Sequence, residues 1–200
     1  CNAFSTACVE LCKSRIPQER KFVPCITHTL LKDEGIPSAC EEDLNALMAM
    51  TVMMYTAHRP AFMGNPLYET DEMISIHHCV PCLYMNGFGT DKLDYSIYAF
   101  TGQGFGGKIQ IDFAQNESRE VTIGRFDPFG KKLLLKTGKV LSSKYTETYC
   151  SPYYYIQVDD SQKYLQEMMN FGHHQALIFG NYTEMLKKAA AIMKFEIVEG

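Results

Sequence analysis

Two histidines and two cysteines, His77, His78, Cys79 and Cys82, are packed into the stretch "ISIHHCVPCLYMNGFG". Residues of these types can form half of a zinc site, a thiol redox pair, or one wall of a site completed elsewhere in the chain. A structural zinc site needs a second ligand pair, typically another CxxC or an HxxxH. After residue 82 the only further cysteine is Cys150, so the zinc reading lacks its other half. A redox CxxC opens a helix whose N-terminus lowers the thiol pKa. Here "LYMNGFG" follows, which is not a helix start. His173 and His174 form a second doublet, after Gly172. Taken alone that doublet reads as a hydrogen-bonded surface pair, and Glu41 taken alone reads as a helix-capping carboxylate.

The elements that must carry these residues change character near residue 86. Before it, "KFVPCITHTLLKDEG" predicts a helix stopped by Gly35. Ser38 and Glu41 have the spacing of a capping box for the next helix. That helix, Leu44 to Tyr55, is apolar nearly all round and must be buried on all sides. The short apolar runs "RPAFMG" and "MISIHHC" between helical patterns predict an α/β layer. After residue 86, "LDYSIYAF", "KIQIDFAQ", "REVTIGRF", "KKLLLKTGKVL" and "PYYYIQV" predict short strands separated by turns, which close into a barrel or pack as a sandwich. "TGQGFGG" is followed by a strand and not a helix, so it predicts a turn and no dinucleotide site. "DDSQKYLQEMMNFG" and "NYTEMLKKAAAIMK" predict helices flanking the strand "HHQALIFG", and "FEIVEG" predicts an edge strand.

The composition bounds the partners. A hydrophobic fraction of 46% and an aromatic fraction of 12% are those of a folded globular chain. A net charge of −4 leaves no basic footprint for nucleic acid. No run approaches the ~20 apolar residues of a membrane span. The cysteines read as reduced thiols of a cytoplasmic protein, and the start on Cys1, without a signal-peptide pattern, reads as a fragment of a longer protein.

Four segments together carry a resemblance. "PSACEEDLNALMAM", "AFMGNP", "ISIHHCVPC" and "HHQALIFGNYTEMLKKAAAIMKFEIVE" resemble, in order, landmarks of the L-fucose/L-arabinose isomerase superfamily. Those landmarks are a Cys-Glu-x-Asp segment opening a helix, a Phe-x-x-Asp strand end, a His-Cys strand, and a late His six residues before a Gly-Asp/Asn. The resemblance implies the end of a middle α/β domain over residues 1–85. A mainly antiparallel β-barrel-like C-terminal domain with short helices follows over 86–200. It also implies metal-dependent aldose–ketose isomerisation of a sugar or polyol through an enediol, with manganese as the metal, in a cytoplasmic homo-oligomer without nucleic-acid or membrane partners.

Residue by residue, the resemblance puts Glu41 in the place of the first metal-binding, acid/base carboxylate and Asn65 in that of the second. It makes His174 the late metal ligand and His78 a substrate-side residue, with Cys79 and Cys82 as packing thiols. Asn65 departs from the pattern, which has Asp there. An amide keeps one acceptor oxygen but supplies neither negative charge nor a base. That departure opens a rival reading, a catalytically impaired carbohydrate-binding relative with a regulatory or scaffolding role. Glu69, Asp71 and Glu72 are the nearby carboxylates that could substitute, or they form a solvated acidic loop.

Overall fold

Alternation of inward and outward side chains, the period-2 signal of a strand, organises most of the chain after Pro60. The computed structural model describes residues 2–100, 104–115, 117–147 and 150–200; part of "TGQGFGG" lies outside them. The elements run β1 (Phe4–Ser5), α1 (Cys8–Lys13), α2 (Ile16–Arg20), α3 (Cys25–Asp33), β2 (Ser38–Ala39), α4 (Leu44–Ala57), β3 (Phe62–Thr70) and β4 (Met73–His77). They continue with β5 (Tyr95–Ala99), β6 (Gly107–Ile111), β7 (Arg119–Phe126), β8 (Lys132–Lys144), β9 (Tyr153–Gln157), α5 (Ser161–Met168), β10 (Gln175–Phe179), α6 (Thr183–Met193) and β11 (Glu196–Glu199).

Six of the strands close into an antiparallel barrel in the order β8-β7-β10-β3-β4-β9, with β9 pairing back onto β8. The long strand β8 allows the closure. It pairs β7 from Leu133 to Val140 and β9 from Lys139 to Lys144, with a register shift between Val140 and Ser142. Such a bulge bends a strand and increases its twist. At Gly138, beside the bulge, an added Cβ would lie 2.6 Å from the Gln157 carbonyl oxygen, so only glycine fits this seam. β11 adds to the outside of β8 in parallel, and the hairpin β5–β6 lies apart as a separate two-stranded sheet.

The expected α/β layer is not what the short apolar runs build. "AFMGNP" and "MISIHHC" lie in β3 and β4, antiparallel staves of the barrel, so its sheet draws on residues from both sides of position 85. The segments before Ala61 form helices and the two-residue parallel pair β1–β2. Short apolar runs do not distinguish parallel from antiparallel pairing, and the two-residue turn between β3 and β4 decides for a hairpin.

Phe62, Ile76, Phe113, Tyr154, Leu177 and Phe179 fill the interior, where Phe113 and Tyr154 stack at 3.8 Å between ring centroids. The alternate residues Met63, Ala176 and Ile178 face outward into a second apolar cluster with Met50, Met53 and Met54 of α4. α4 lies across the outer face of β7 and β10 and is not buried on all sides as expected, because Leu44 and Tyr55 stay exposed. The expected capping box does not form. Ser38 sits in β2 with its hydroxyl 2.7 Å from His28 Nδ1, and the N-cap of α4 is Asp43, whose Oδ1 accepts from the Ala46 N–H at 2.9 Å.

Candidate functional site

Outward-facing positions near one rim of the barrel collect the polar residues. In β3, Met63 packs under α4, so Asn65 two residues on shares that outer face, directly across from His77 of β4. His174 has the parity of Ala176 and so faces the same side at the start of β10. His78 follows β4 and is buried. The loop between β2 and α4 then brings Glu41 over them.

That loop is unusual. Glu41 and Glu42 both hold positive φ, 59° and 54°, a conformation that costs a non-glycine residue about 1–3 kcal/mol unless its surroundings impose it. They do so here. The Glu42 N–H donates to the Thr6 carbonyl at 3.0 Å, and β1 pairs with β2 just upstream. Asp43 then starts α4. The strained pair turns Glu41 back toward the barrel.

Glu41 lies between two imidazoles. Its Oε1 is 3.8 Å from His78 Nε2 and its Oε2 is 3.8 Å from His174 Nε2. The two rings are 5.4 Å apart between centroids. The approach of His78, and after it that of His174, holds the Glu41 carboxyl below its usual range against the opposing effect of burial. Burial pushes the His78 pKa down to about 4 even with Glu41 beside it, so near neutrality this pair is a carboxylate facing a neutral imidazole.

Behind His174 stands Asp43, which the residue-by-residue carry-over left without a role. Its Oδ2 is 3.0 Å from His174 Nδ1 and accepts from Arg125 Nη1 at 2.6 Å. Burial alone would raise this carboxyl. The bonds from His174, Arg125 and the Ala46 N–H outweigh it and hold the group well below the ordinary carboxylate range. An ionised Asp43 requires the proton of a neutral His174 on Nδ1, which leaves a lone pair on Nε2 facing Glu41. Arg125 also donates to the His174 and Phe171 carbonyls at 2.8 and 2.7 Å, tying β7 to the segment before β10. The signals for both residues were present. Asp43 closes the Cys-Glu-x-Asp landmark, and Arg125 is the cation that follows the apolar middle of the strand "REVTIGRF".

Three buried polar atoms here lack a hydrogen-bond partner: Asn65 Oδ1, His78 Nε2 and His174 Nε2. All three are acceptors or can be, and Glu41 adds an anion. A divalent cation satisfies such a set, and a His ligand backed by a carboxylate on its other nitrogen is a common metal arrangement. Cys40, Glu41 and His78 also present ligand atoms within 4.8 Å of one another. Glu41 and His78 line a cavity of ≈ 410 Å³.

The remaining candidates fall outside this cluster. His77 Nδ1 lies 3.1 Å from the Cys150 carbonyl and the ring stacks on Tyr153, so it braces the rim. Cys82 donates to the Ala61 carbonyl at 3.2 Å, while the Cys79 sulfur lies against Cys25. Glu69, Asp71 and Glu72 sit at the far end of the β3–β4 hairpin, ~13 Å or more along the strand from Asn65. There Glu69 accepts from Ser75 and Asp71 from Tyr68 and Gln162. They form the solvated loop and are placed too far to replace a carboxylate at Asn65.

Among the described residues no helix is long and apolar enough to cross a membrane. No family model matches the chain. Over 180 residues it is 26% identical to the sulfoquinovose isomerase of Priestia aryabhattai and, equally, to that of Priestia megaterium, covering 86% of this chain. The likeness is thus to a sugar isomerase. The chain spans 39% of the length of these curated relatives.

Proposed function

We propose that this chain belongs to a metal-dependent aldose–ketose isomerase that acts on a sugar through an enediol. Within that protein, residues 1–85 belong to the end of a middle α/β domain and 86–200 to a C-terminal barrel domain, with β3 and β4 entering the barrel sheet from the first portion. The observation that carries the reading is the Glu41 carboxylate set between two imidazole Nε2 atoms that have no other partner. The likeness to sulfoquinovose isomerases supports the reaction class and makes sulfoquinovose one candidate substrate, beside sugars of the L-fucose and L-arabinose type.

In this reading Glu41, Asn65 and His174 hold a divalent cation such as manganese, whose contribution is to polarise two adjacent sugar oxygens. Glu41 also takes the proton from the carbon next to the carbonyl and returns it to the neighbouring carbon. It is suited to the first step because its neighbours keep it ionised. His78, neutral and fixed beside Glu41, hydrogen-bonds a sugar hydroxyl. Asp43 positions His174 and holds its proton on Nδ1. A cytoplasmic homo-oligomer that completes the site with its other domains fits the same reading.

A second reading rests on Asn65. With an amide where the resemblance expects Asp, the protein is a carbohydrate-binding relative of weakened catalysis. One set of assays separates the two. The full-length protein is mixed with a panel of aldoses and ketoses, sulfoquinovose included, with manganese added or chelated. Turnover that chelation removes and Glu41→Gln abolishes establishes the isomerase. Binding of the sugars without turnover establishes the second reading, and neither binding nor turnover overturns both.

A further inference from the structure

Thiols crowd the cavity beside Glu41 and His78. Cys8, Cys12, Cys40, Cys79 and Cys150 all contribute to its wall. One close approach lies just behind that wall, where the Cys25 sulfur is 3.3 Å from the Cys79 sulfur, with both residues buried. No role in sugar isomerisation calls for this pair.

A cluster of sulfurs can hold a thiophilic cation or lose electrons. A cation needs at least three ligand atoms mutually close. Among the described residues the only group of His, Cys, Asp and Glu that meets this condition is Cys40, Glu41 and His78, not the sulfurs around Cys79. The surroundings of Cys25 and Cys79 are also positive. Cys25 opens α3, whose N-terminus carries the positive end of the helix dipole. The buried Lys108 ammonium, held by the Thr146 carbonyl and the Ser151 hydroxyl, lies within electrostatic reach of Cys79, Cys150 and Cys25. Such a setting disfavours a cation. Although Cys150 draws it down, Cys25 and burial push the Cys79 thiol well up, so what marks this pair is the contact of its two sulfurs and not an anionic one.

We propose that Cys79 and Cys25 form a peroxide-sensitive thiol pair that closes to a disulfide. Hydrogen peroxide entering the cavity meets Cys79, which lines it, whereas Cys25 lies behind. The Cys79 sulfur attacks one peroxide oxygen and the O–O bond breaks. The sulfur loses two electrons and becomes a sulfenic acid, and the other oxygen leaves as water after taking the thiol proton. Cys25 then attacks that sulfur, the S–O bond breaks, and the oxygen departs as a second water with the Cys25 proton. Two thiols and one peroxide thus give one disulfide and two waters. The sulfurs need to approach by about 1.2 Å to reach bonding distance. The bond would tether the residue after His78 to the start of α3. This inference stands whether or not the isomerase reading holds.

Reduced full-length protein is exposed to hydrogen peroxide, alkylated under denaturing conditions, digested without reductant and mapped by mass spectrometry. The expected result is a cross-linked peptide joining Cys25 to Cys79 that dithiothreitol reverses, with Cys82 still fully alkylated. In Cys25→Ser, dimedone should trap the sulfenic acid on Cys79. If both cysteines remain alkylated while more exposed thiols such as Cys8 oxidise, the proposal is overturned. Pairing of Cys79 with Cys150 instead of Cys25 would overturn it equally.

Discussion

His174 Nδ1 lies 3.0 Å from Asp43 Oδ2, and the same oxygen accepts from Arg125 Nη1 at 2.6 Å. One carboxylate therefore orients the imidazole and neutralises a buried guanidinium. Asp43→Asn keeps the shape and an acceptor but loses the charge that holds the His174 proton on Nδ1. It should weaken manganese binding by about 10–100-fold with the fold intact, as read by calorimetric titration alongside circular dichroism. Asp43→Ala also strands Arg125, and an uncompensated buried charge costs about 3–5 kcal/mol. Its melting temperature should fall well below that of Asp43→Asn. Equal metal affinity in Asp43→Asn and the natural protein would remove Asp43 from the site.

Under the proposed assignment, Asn65→Asp in the full-length protein should tighten manganese binding and raise ketol-isomerase activity, because it adds a negative charge and a titratable group where the buried Asn65 Oδ1 has no partner. A missing general base typically costs about 10²–10⁴-fold in rate, which sets the scale of the gain. Metal titration and turnover of both forms test this. Brisk turnover by the natural form, with no gain in the aspartate form, would place the base elsewhere.

His28 gives the fold a pH dependence of definite sign. It is fully buried between Thr6 and Ser38, and burial, reinforced by the Lys32 charge, pushes its pKa down to about 4. The unfolded chain therefore binds this proton more readily than the folded one. The stability is whole above the unfolded value of about 6.5 and is lost as pH falls through about 4, by about 3 kcal/mol in all. Urea unfolding at stepped pH should show the decline, and His28→Asn should flatten it between pH 6.5 and 4. An unchanged slope in the variant would assign the decline to other groups.

Phe113 joins the interior aromatics, stacked on Tyr154 and edge-on to Phe62 and Phe179 at 5.5 and 5.1 Å. Phe113→Ala should cost about 3–5 kcal/mol in chemical denaturation, because the closed barrel cannot collapse around the void. A loss under 1 kcal/mol would mean that the interior repacks freely.

The strands after residue 90 were legible because they are short, rich in β-branched and aromatic residues and bounded by turn residues, most clearly "REVTIGRF", which is β7 residue for residue. The staves β3 and β4 were not, because a short apolar run bears no mark of its partner's direction. The false capping box shows a different limit. Ser38 has the right type and spacing, but its hydroxyl is committed to His28, and the strained Glu41–Glu42 turn moves the helix start to Leu44. Glu41, His78 and His174 were named from a pattern of landmarks, and no local signal in the chain reveals that they approach one another. Asp43 was overlooked because an acid before a helix is explained by its cap alone, yet here it serves the cap and the imidazole together.

Among the described residues, barrel closure leaves β11 as the strand of the seven-stranded sheet whose far side no other strand covers. A bare strand edge is a template on which a second molecule can add a strand, the first step of sheet-like aggregation. Glu196 and Glu199 stand at its two ends, paired with Lys132 at 3.5 Å and Lys187 at 2.7 Å. An incoming strand would have to displace or desolvate these charges, so the four-residue edge is guarded at both ends.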